Sequence, residues 1–136
     1  MTLEQLKQQI REDLKINMAD LSGAAAENCL LHNKYSNMLI DSKIQYKKEY
    51  LEFQKIKKNK YRYYMGYEET CPPEVLDARG VKVHIEGDDE VLAQQRKLFF
   101  LEEKIKYLEE TCSSFVSRGF NIKNIVEIKK IELGIS

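Results

Sequence analysis

The chain has 136 residues and is formally neutral, because its 22 lysines and arginines balance 22 aspartates and glutamates. This length suits one domain with a modest core, and neutrality argues against a protein that binds polyanions over its whole surface. The low numbers of glycine and proline, 6 and 2, favour helices over loop-rich or all-β folds. No stretch approaches the roughly 20 apolar residues of a membrane span, and the amphipathic N-terminus does not resemble a signal peptide. We therefore expect a soluble, intracellular, single-domain protein over residues 1–136, mainly α-helical and without a membrane partner.

The sequence carries none of the common signatures of catalysis. The phosphate-binding loop, the G-x-G-x-x-G fingerprint, the G-x-S-x-G elbow and the H-E-x-x-H motif are absent, so we expect no enzyme, no catalytic residue and no cofactor. Cys29, Cys71 and Cys112 are widely spaced and form no C-x-x-C pair, which predicts reduced thiols rather than a zinc site or a disulfide framework. The segment HIEGDDE, residues 84–90, could offer carboxylates to a hard metal. Acidic residues that favour a helix N-terminus are the simpler interpretation, so we predict no metal site.

The N-terminal residues predict a first helix of about four turns. Thr2 can cap it, and Gln5, three residues later, completes a capping-box pattern. The apolar residues recur at helical spacing, and they are Leu3, Leu6, Ile10 and Leu14.

A second, much longer helix is predicted from a cap at Asp20 or Ser22 to about Tyr64, with a bend allowed near Asp41-Ser42. Gly66 is expected to end it. A helix of about forty residues is about 60 Å long, which is more than a compact chain of this size can cover. The length of the helix therefore indicates association with other subunits.

Residues 67–89 are predicted to form an insertion, because prolines and glycines interrupt the helical pattern there. Within it, VKVHIE alternates apolar and polar residues at Val81, Val83 and Ile85, which predicts one short strand. The expected fold is a long helix plus shorter helices with a small β/loop insertion.

The C-terminal part, residues 90–136, predicts helices that contact other subunits. Asp88 or Asp89 can cap a third helix whose apolar residues follow a coiled-coil-like spacing. Gly119 is predicted to end it, and Asn121 to cap a final helix. The residues predicted to form oligomer contacts are Leu98, Leu101, Ile105, Leu108, Phe115, Phe120, Ile122, Ile125 and Ile128.

Charge is segregated along the chain, although the total is neutral. Residues 43–62 hold eight basic and two acidic side chains, a net charge of +6, so the remainder carries −6. At 100° per residue, Lys48, Lys55 and Arg62 fall almost in line on the second helix, with Lys58 beside them. Such a strip would follow a phosphate backbone, and neighbouring tyrosines could stack on unpaired bases. The predicted DNA-binding residues are Lys48, Lys55, Lys57, Lys58, Lys60, Arg62, Tyr61 and Tyr64.

Other interpretations of this segment stay open. A charged run can simply be a solvated helix face, in which case the protein is a structural helical oligomer or adaptor without affinity for nucleic acid. A nucleic-acid enzyme with an acidic site at Glu86, Asp88 and Asp89 would instead turn over DNA with a divalent metal.

Three stretches of the chain occur in a recognisable order. They are the N-terminal LEQLKQQIREDL, the pattern K-x-[RK]-x-x-Y-Y-x-G at residues 58–66, and the ending SRGFNIKNI at residues 117–125. Together they resemble one known family, the UvsY recombination mediators of T-even-type phages. The resemblance extends over nearly the whole chain and is weakest in the insertion. In the second stretch, Lys60 stands where the motif often has arginine, which keeps the charge but loses the planar guanidinium.

This resemblance implies a non-enzymatic accessory protein of homologous recombination, repair and recombination-dependent replication. It implies binding of single-stranded DNA without sequence preference, and partnership with a RecA-type recombinase and a phage single-strand-binding protein. It also implies a ring-like or open-barrel homo-oligomer, a heptamer or hexamer, in the host cytoplasm.

Overall fold

The computed structural model describes residues 1–73 and 76–134, and within them the chain forms helices and no strand. The helices are α1 (Leu3–Leu14), α2 (Leu21–Tyr64), α3 (Ala78–Glu86) and α4 (Asp89–Glu132). Contacts divide the chain into two compact units, one of Met1–Asp41 with the residues from Lys104 onward, the other of Ser42–Glu103. Both long helices contribute residues to both units. The mainly helical prediction is confirmed, and none of the described helices is apolar enough over its length to cross a membrane.

The predicted start of α1 is confirmed in detail. The Thr2 hydroxyl accepts a hydrogen bond from the Gln5 backbone N–H at 3.1 Å, and the Gln5 side chain accepts one from the Thr2 N–H at 2.8 Å. These reciprocal bonds satisfy two backbone donors that the first turn of a helix leaves unpaired. The same helix buries Leu6 and Ile10.

The limits of α2 also agree with the sequence. The Asp20 carboxylate accepts from the Gly23 N–H at 2.9 Å and so caps the helix. The helix is unbroken at Asp41 and Ser42, so the allowed bend does not interrupt it. After Tyr64 the chain turns at Gly66, whose φ of 81° lies in the left-handed region that glycine adopts without strain.

In the first unit, α1 packs against the N-terminal part of α2 and the C-terminal part of α4. Tyr35 and Phe115 are fully buried there, with stacked rings whose centroids lie 5.2 Å apart. The Tyr35 hydroxyl donates a hydrogen bond to Asp13. Burial is the main cause that raises the pKa of Tyr35, and this hydrogen bond is the second. The core residues of this unit are Leu6, Ile10, Leu31, Tyr35, Leu108 and Phe115.

The predicted helix end at Gly119 is wrong, because α4 continues through it to Glu132. A Cβ atom at Gly119 would lie 3.0 Å from Nδ2 of Asn28. This amide donates to the Phe115 carbonyl, also at 3.0 Å. Glycine therefore occurs here because α2 approaches α4 closely, and that packing offsets the roughly 1 kcal/mol that glycine costs inside a helix.

Arg118 joins α1 and α2 to α4 from a buried position, with only 3% of the residue exposed. Its guanidinium donates to the carbonyls of Leu14 and Lys15 at 3.2 and 2.9 Å, and to Oδ1 of Asn28 at 3.0 Å. A longer contact reaches the Ala24 carbonyl at 3.5 Å. The first two carbonyls belong to the C-terminal end of α1, where unpaired acceptors and the helix dipole both favour a cation.

In the second unit, the predicted strand is wrong, because VKVHIE lies in the helix α3. The Asp77 carboxylate caps α3 by accepting from the Gly80 N–H at 2.7 Å. Val81 and Ile85 are four residues apart and therefore share one face of a helix, which packs with Val91 into the core of this unit. Val83 is exposed. Two of the three alternating apolar residues, Val81 and Ile85, are therefore also spaced as on one face of a helix, and these are the two that are buried.

We predict that Arg118→Met lowers the free energy of unfolding by about 2 kcal/mol or more, because buried carbonyls would be left without a charged donor. Urea titration followed by circular dichroism measures the change. Lys123→Met is the control, since Lys123 is exposed on the same helix. Equal stability of the two variants would contradict a structural role for the Arg118 hydrogen bonds.

Candidate nucleic-acid interface

Three lysines on one side of α2 are exposed and form no ion pair with any residue of the described parts of the chain. They are Lys48, Lys55 and Lys58. Lysine ammonium groups without a carboxylate partner are available to an anion, and neutralising backbone phosphates with such groups favours binding of nucleic acid.

The opposite side of α2 holds the helix in this orientation. Phe53, Ile56 and Tyr64 are partly buried and pack against the core formed by α3 and the start of α4. Because these side chains are fixed by packing, the exposed lysines must face away from the core. The second unit therefore presents these three lysines on a helix face that its own packing leaves open.

Lys60 differs from the exposed lysines, because it lies toward the start of α4. Its ammonium group is 3.1 Å from the Glu90 carboxylate and 3.5 Å from the Asp88 carboxylate. The hydrogen bond to Glu90 is the main cause that raises the pKa of Lys60, and the charges of Asp88 and Glu90 add to it against partial burial. A phosphate that binds Lys60 would have to compete with two carboxylates.

Asp88 is the centre of this cluster. It accepts from the Tyr64 hydroxyl at 2.8 Å and from the backbone N–H groups of Glu90 and Val91 at 2.9 and 3.3 Å, so it also caps α4. Burial by itself would raise the pKa of Asp88, but these hydrogen bonds and the charge of Lys60 outweigh it and hold the pKa below its ordinary value.

The remaining predicted DNA-binding residues have partners of their own. Arg62 lies 2.7 Å from the Glu68 carboxylate, with both side chains about half exposed. The Lys57 ammonium lies 5.3 Å from the ring centre of Phe53. The Tyr61 ring meets the Tyr67 ring edge-on at 6.5 Å. The centre of the Tyr64 ring lies 5.0 Å from that of Tyr63 and 5.3 Å from that of His84.

Comparison with known proteins assigns this chain to a family. Residues 9–135 match the family model described as "Recombination, repair and ssDNA binding protein UvsY". The chain belongs to the UvsY family. It is similar in structure to the bacteriophage T4 recombination mediator protein UvsY. One crystal form of that protein matches with a TM-score of 0.89 at 23% identity, covering 98% of each chain. A second crystal form matches with a TM-score of 0.87 at 24% identity, covering 97% of this chain and 99% of the T4 chain. No curated protein sequence matches.

Membership in the UvsY family makes this a protein of recombination and repair from a family that binds single-stranded DNA. The structural likeness confirms the mainly helical fold that the sequence predicts, since it extends over almost the whole chain. The roles of individual lysines and tyrosines in DNA binding stay predictions.

The residues predicted to form oligomer contacts fall into two groups. Inside the chain's own packing lie Leu98, Leu101, Leu108, Phe115 and Ile122, all buried, with Ile105 and Ile125 half-buried. Phe120 and Ile128 are 63% and 54% exposed, so they remain available to another subunit. Sequence reasoning did not include Val116 in this set, although it is exposed on the same helix.

Sequence reasoning also missed Asp88 and Glu90 as partners of Lys60. The signal available is the acidic start of α4, which by itself indicates only a favourable helix N-terminus. Among the described residues, no group of three or more His, Cys, Asp or Glu side chains is arranged to hold a metal ion. Cys29, Cys71 and Cys112 are free thiols.

We predict a pH-dependent effect of Asp88→Asn on stability. A carboxylate whose folded-state pKa is depressed contributes stability above its unfolded pKa and loses that contribution as the pH falls through the folded pKa. The variant should therefore be less stable than the wild type at neutral pH, and the difference should shrink below about pH 4. Urea titrations at pH 7 and pH 3 measure it, and an equal difference at both would contradict the proposed electrostatic role.

Proposed function

We propose that this protein is a recombination mediator that binds single-stranded DNA without sequence specificity. It promotes loading of a RecA-type recombinase onto DNA coated with single-strand-binding protein, in homologous recombination, repair and recombination-dependent replication. The observation that carries the proposal is a row of exposed lysines on α2 that form no ion pair within the described residues, in a member of a family described as single-stranded-DNA-binding. They are Lys48, Lys55 and Lys58.

The chemistry of this face supports binding without sequence readout. Lysine ammonium groups contact phosphates, which are the same at every nucleotide, and tyrosine rings stack on any base. The described helices include no pair arranged as a recognition helix with a few base-reading side chains. We therefore expect affinity to depend on salt and on strand length rather than on base order.

Assembly of several subunits would strengthen the contact with DNA and would change the path of the bound strand. A ring-like or open-barrel homo-oligomer repeats the lysine row once per subunit, so individually weak contacts add through avidity on one strand. DNA held across several subunits would follow an altered path. That path would weaken the grip of the single-strand-binding protein and present the strand to the recombinase. The exposed apolar residues of α4, among them Phe120 and Ile128, are the surface that we assign to subunit contacts.

The first prediction from this proposal concerns the lysines. Wild-type protein should bind a labelled oligonucleotide tightly at low salt and more weakly as salt rises. Lys55→Ala/Lys58→Ala should lower the affinity. It should also make the slope of log K against log salt concentration less negative, by about 0.7 for each phosphate that the variant no longer neutralises. Fluorescence anisotropy at several salt concentrations measures both effects.

A matched control separates this effect from net charge. Lys106→Ala/Lys123→Ala also removes two exposed lysines, but both are outside the α2 face. It should bind like the wild type, and in a loading assay it should still support recombinase assembly on coated DNA. Absence of salt-sensitive binding in the wild type would overturn the proposal in favour of a structural adaptor.

A further prediction concerns assembly. Phe120→Asp/Ile128→Asp places two carboxylates on an exposed apolar surface, so the oligomer should dissociate while the chain stays folded. DNA affinity should then fall at least tenfold through loss of avidity, roughly as expected for linked weak sites. Light scattering gives the subunit number and anisotropy the affinity. A folded monomer that binds DNA as tightly as the wild type would contradict the avidity argument.

A further inference from the structure

A small cleft lies in the second unit beside the basic end of α2, where α3 packs against it. Its volume is about 220 Å³. The floor is apolar, because Val81 and Ile85 of α3 are buried there and Ala78 also lines the cleft. The wall opposite is formed by residues of α2. No part of the sequence prediction included this cleft, because α3 was expected to be a strand.

Tyr61 gives the cleft an aromatic side. Its side chain lines the cleft from α2, and the residue is 47% exposed. A phenol ring that borders an apolar floor and remains half exposed is a surface on which another flat ring can stack. Unpaired nucleobases are ligands of this kind, and stacking on an aromatic side chain favours any base.

Two cations stand at the same cleft. Lys57 lines it from α2 and Lys82 lines it from α3, and in the described parts of the chain neither forms an ion pair. Glu86 is the acidic residue of the lining, so the net charge at the cleft is positive. An occupant with a flat, largely apolar part and a negative charge beside it satisfies both features of the lining.

We propose that this cleft holds one base of a bound single strand, with Tyr61 as the stacking surface and Lys57 and Lys82 on the flanking phosphates. The inference rests on the proposed function and adds α3 to the interface. It also supplies a reason for preference toward single strands. A base can enter the cleft only when it is unpaired, whereas the phosphate backbone contacted by the lysine row is present in duplex as well.

The test compares a normal oligonucleotide with an abasic one of the same length, which keeps the phosphates and lacks the bases. Wild-type protein should prefer the normal strand by roughly fivefold or more. Ala78→Phe should fill the cleft and remove most of this preference while the abasic affinity stays unchanged. Val83→Phe is the matched control, because Val83 is exposed on the same helix and does not line the cleft.

Two other variants make the test independent of how Ala78→Phe folds. Tyr61→Leu should also reduce the preference for the normal strand. Lys82→Gln should weaken binding of both the normal and the abasic oligonucleotide. It should also make the slope of log K against log salt concentration less negative, by about 0.7 for each engaged subunit. Lys123→Gln, which changes an exposed lysine elsewhere, should do neither.

The outcomes separate this inference from the function on which it rests. If the wild type binds no single-stranded DNA, the mediator function is overturned, and the cleft proposal with it. If the wild type binds with salt dependence and the three cleft variants behave like their controls, only the cleft proposal is overturned. Equal loss of affinity for both strands in Ala78→Phe would likewise exclude a base in the cleft.

Discussion

The apolar row along α4 is the constraint on which the arrangement of this protein depends. Leu98 and Leu101 are buried in the second unit, and Leu108, Phe115 and Ile122 are buried in the first. Burial of a leucine or phenylalanine side chain contributes about 1.5–3 kcal/mol, so the chain's own helices hold this row firmly. Since the buried row fixes which side of each helix faces inward, it also decides which side chains remain for partners. The exposed lysines of α2 and the exposed apolar residues of α4 are what this packing leaves outside.

The electrostatics of the second unit follow from the same packing. The segment with a net charge of +6 is not uniform once folded, because its cations divide by helix face. Lys60 faces carboxylates at the start of α4, and Arg62 faces Glu68. These contacts neutralise part of the positive charge locally and leave the row of exposed lysines on α2. In the proposed function, this row guides a single strand along the helix, whereas an evenly charged surface would bind polyanions in any orientation.

Much of the fold could be predicted from the sequence where the physics is local. The capping box of Thr2 and Gln5, the cap at Asp20 and the turn at Gly66 each depend on residues a few positions apart. The errors arose where distant residues decide the outcome. Gly119 predicts a helix end when its segment is considered alone, because the approach of Asn28 cannot be seen there. The segment at Val81 has an alternation that fits strand and helix equally, and only packing against α2 and α4 distinguishes them. For the candidate site, the sequence predicted an exposed basic face but not the carboxylates that hold Lys60.

Arg118 has a consequence for how far the sequence of this protein can diverge. Three of its four acceptors are main-chain carbonyls, those of Leu14, Lys15 and Ala24. A carbonyl is the same whichever side chain its residue carries, so the junction between α1 and α2 can change its amino acids and still be held by one arginine. The contact therefore depends on the path of the backbone there rather than on the side chains of those three residues.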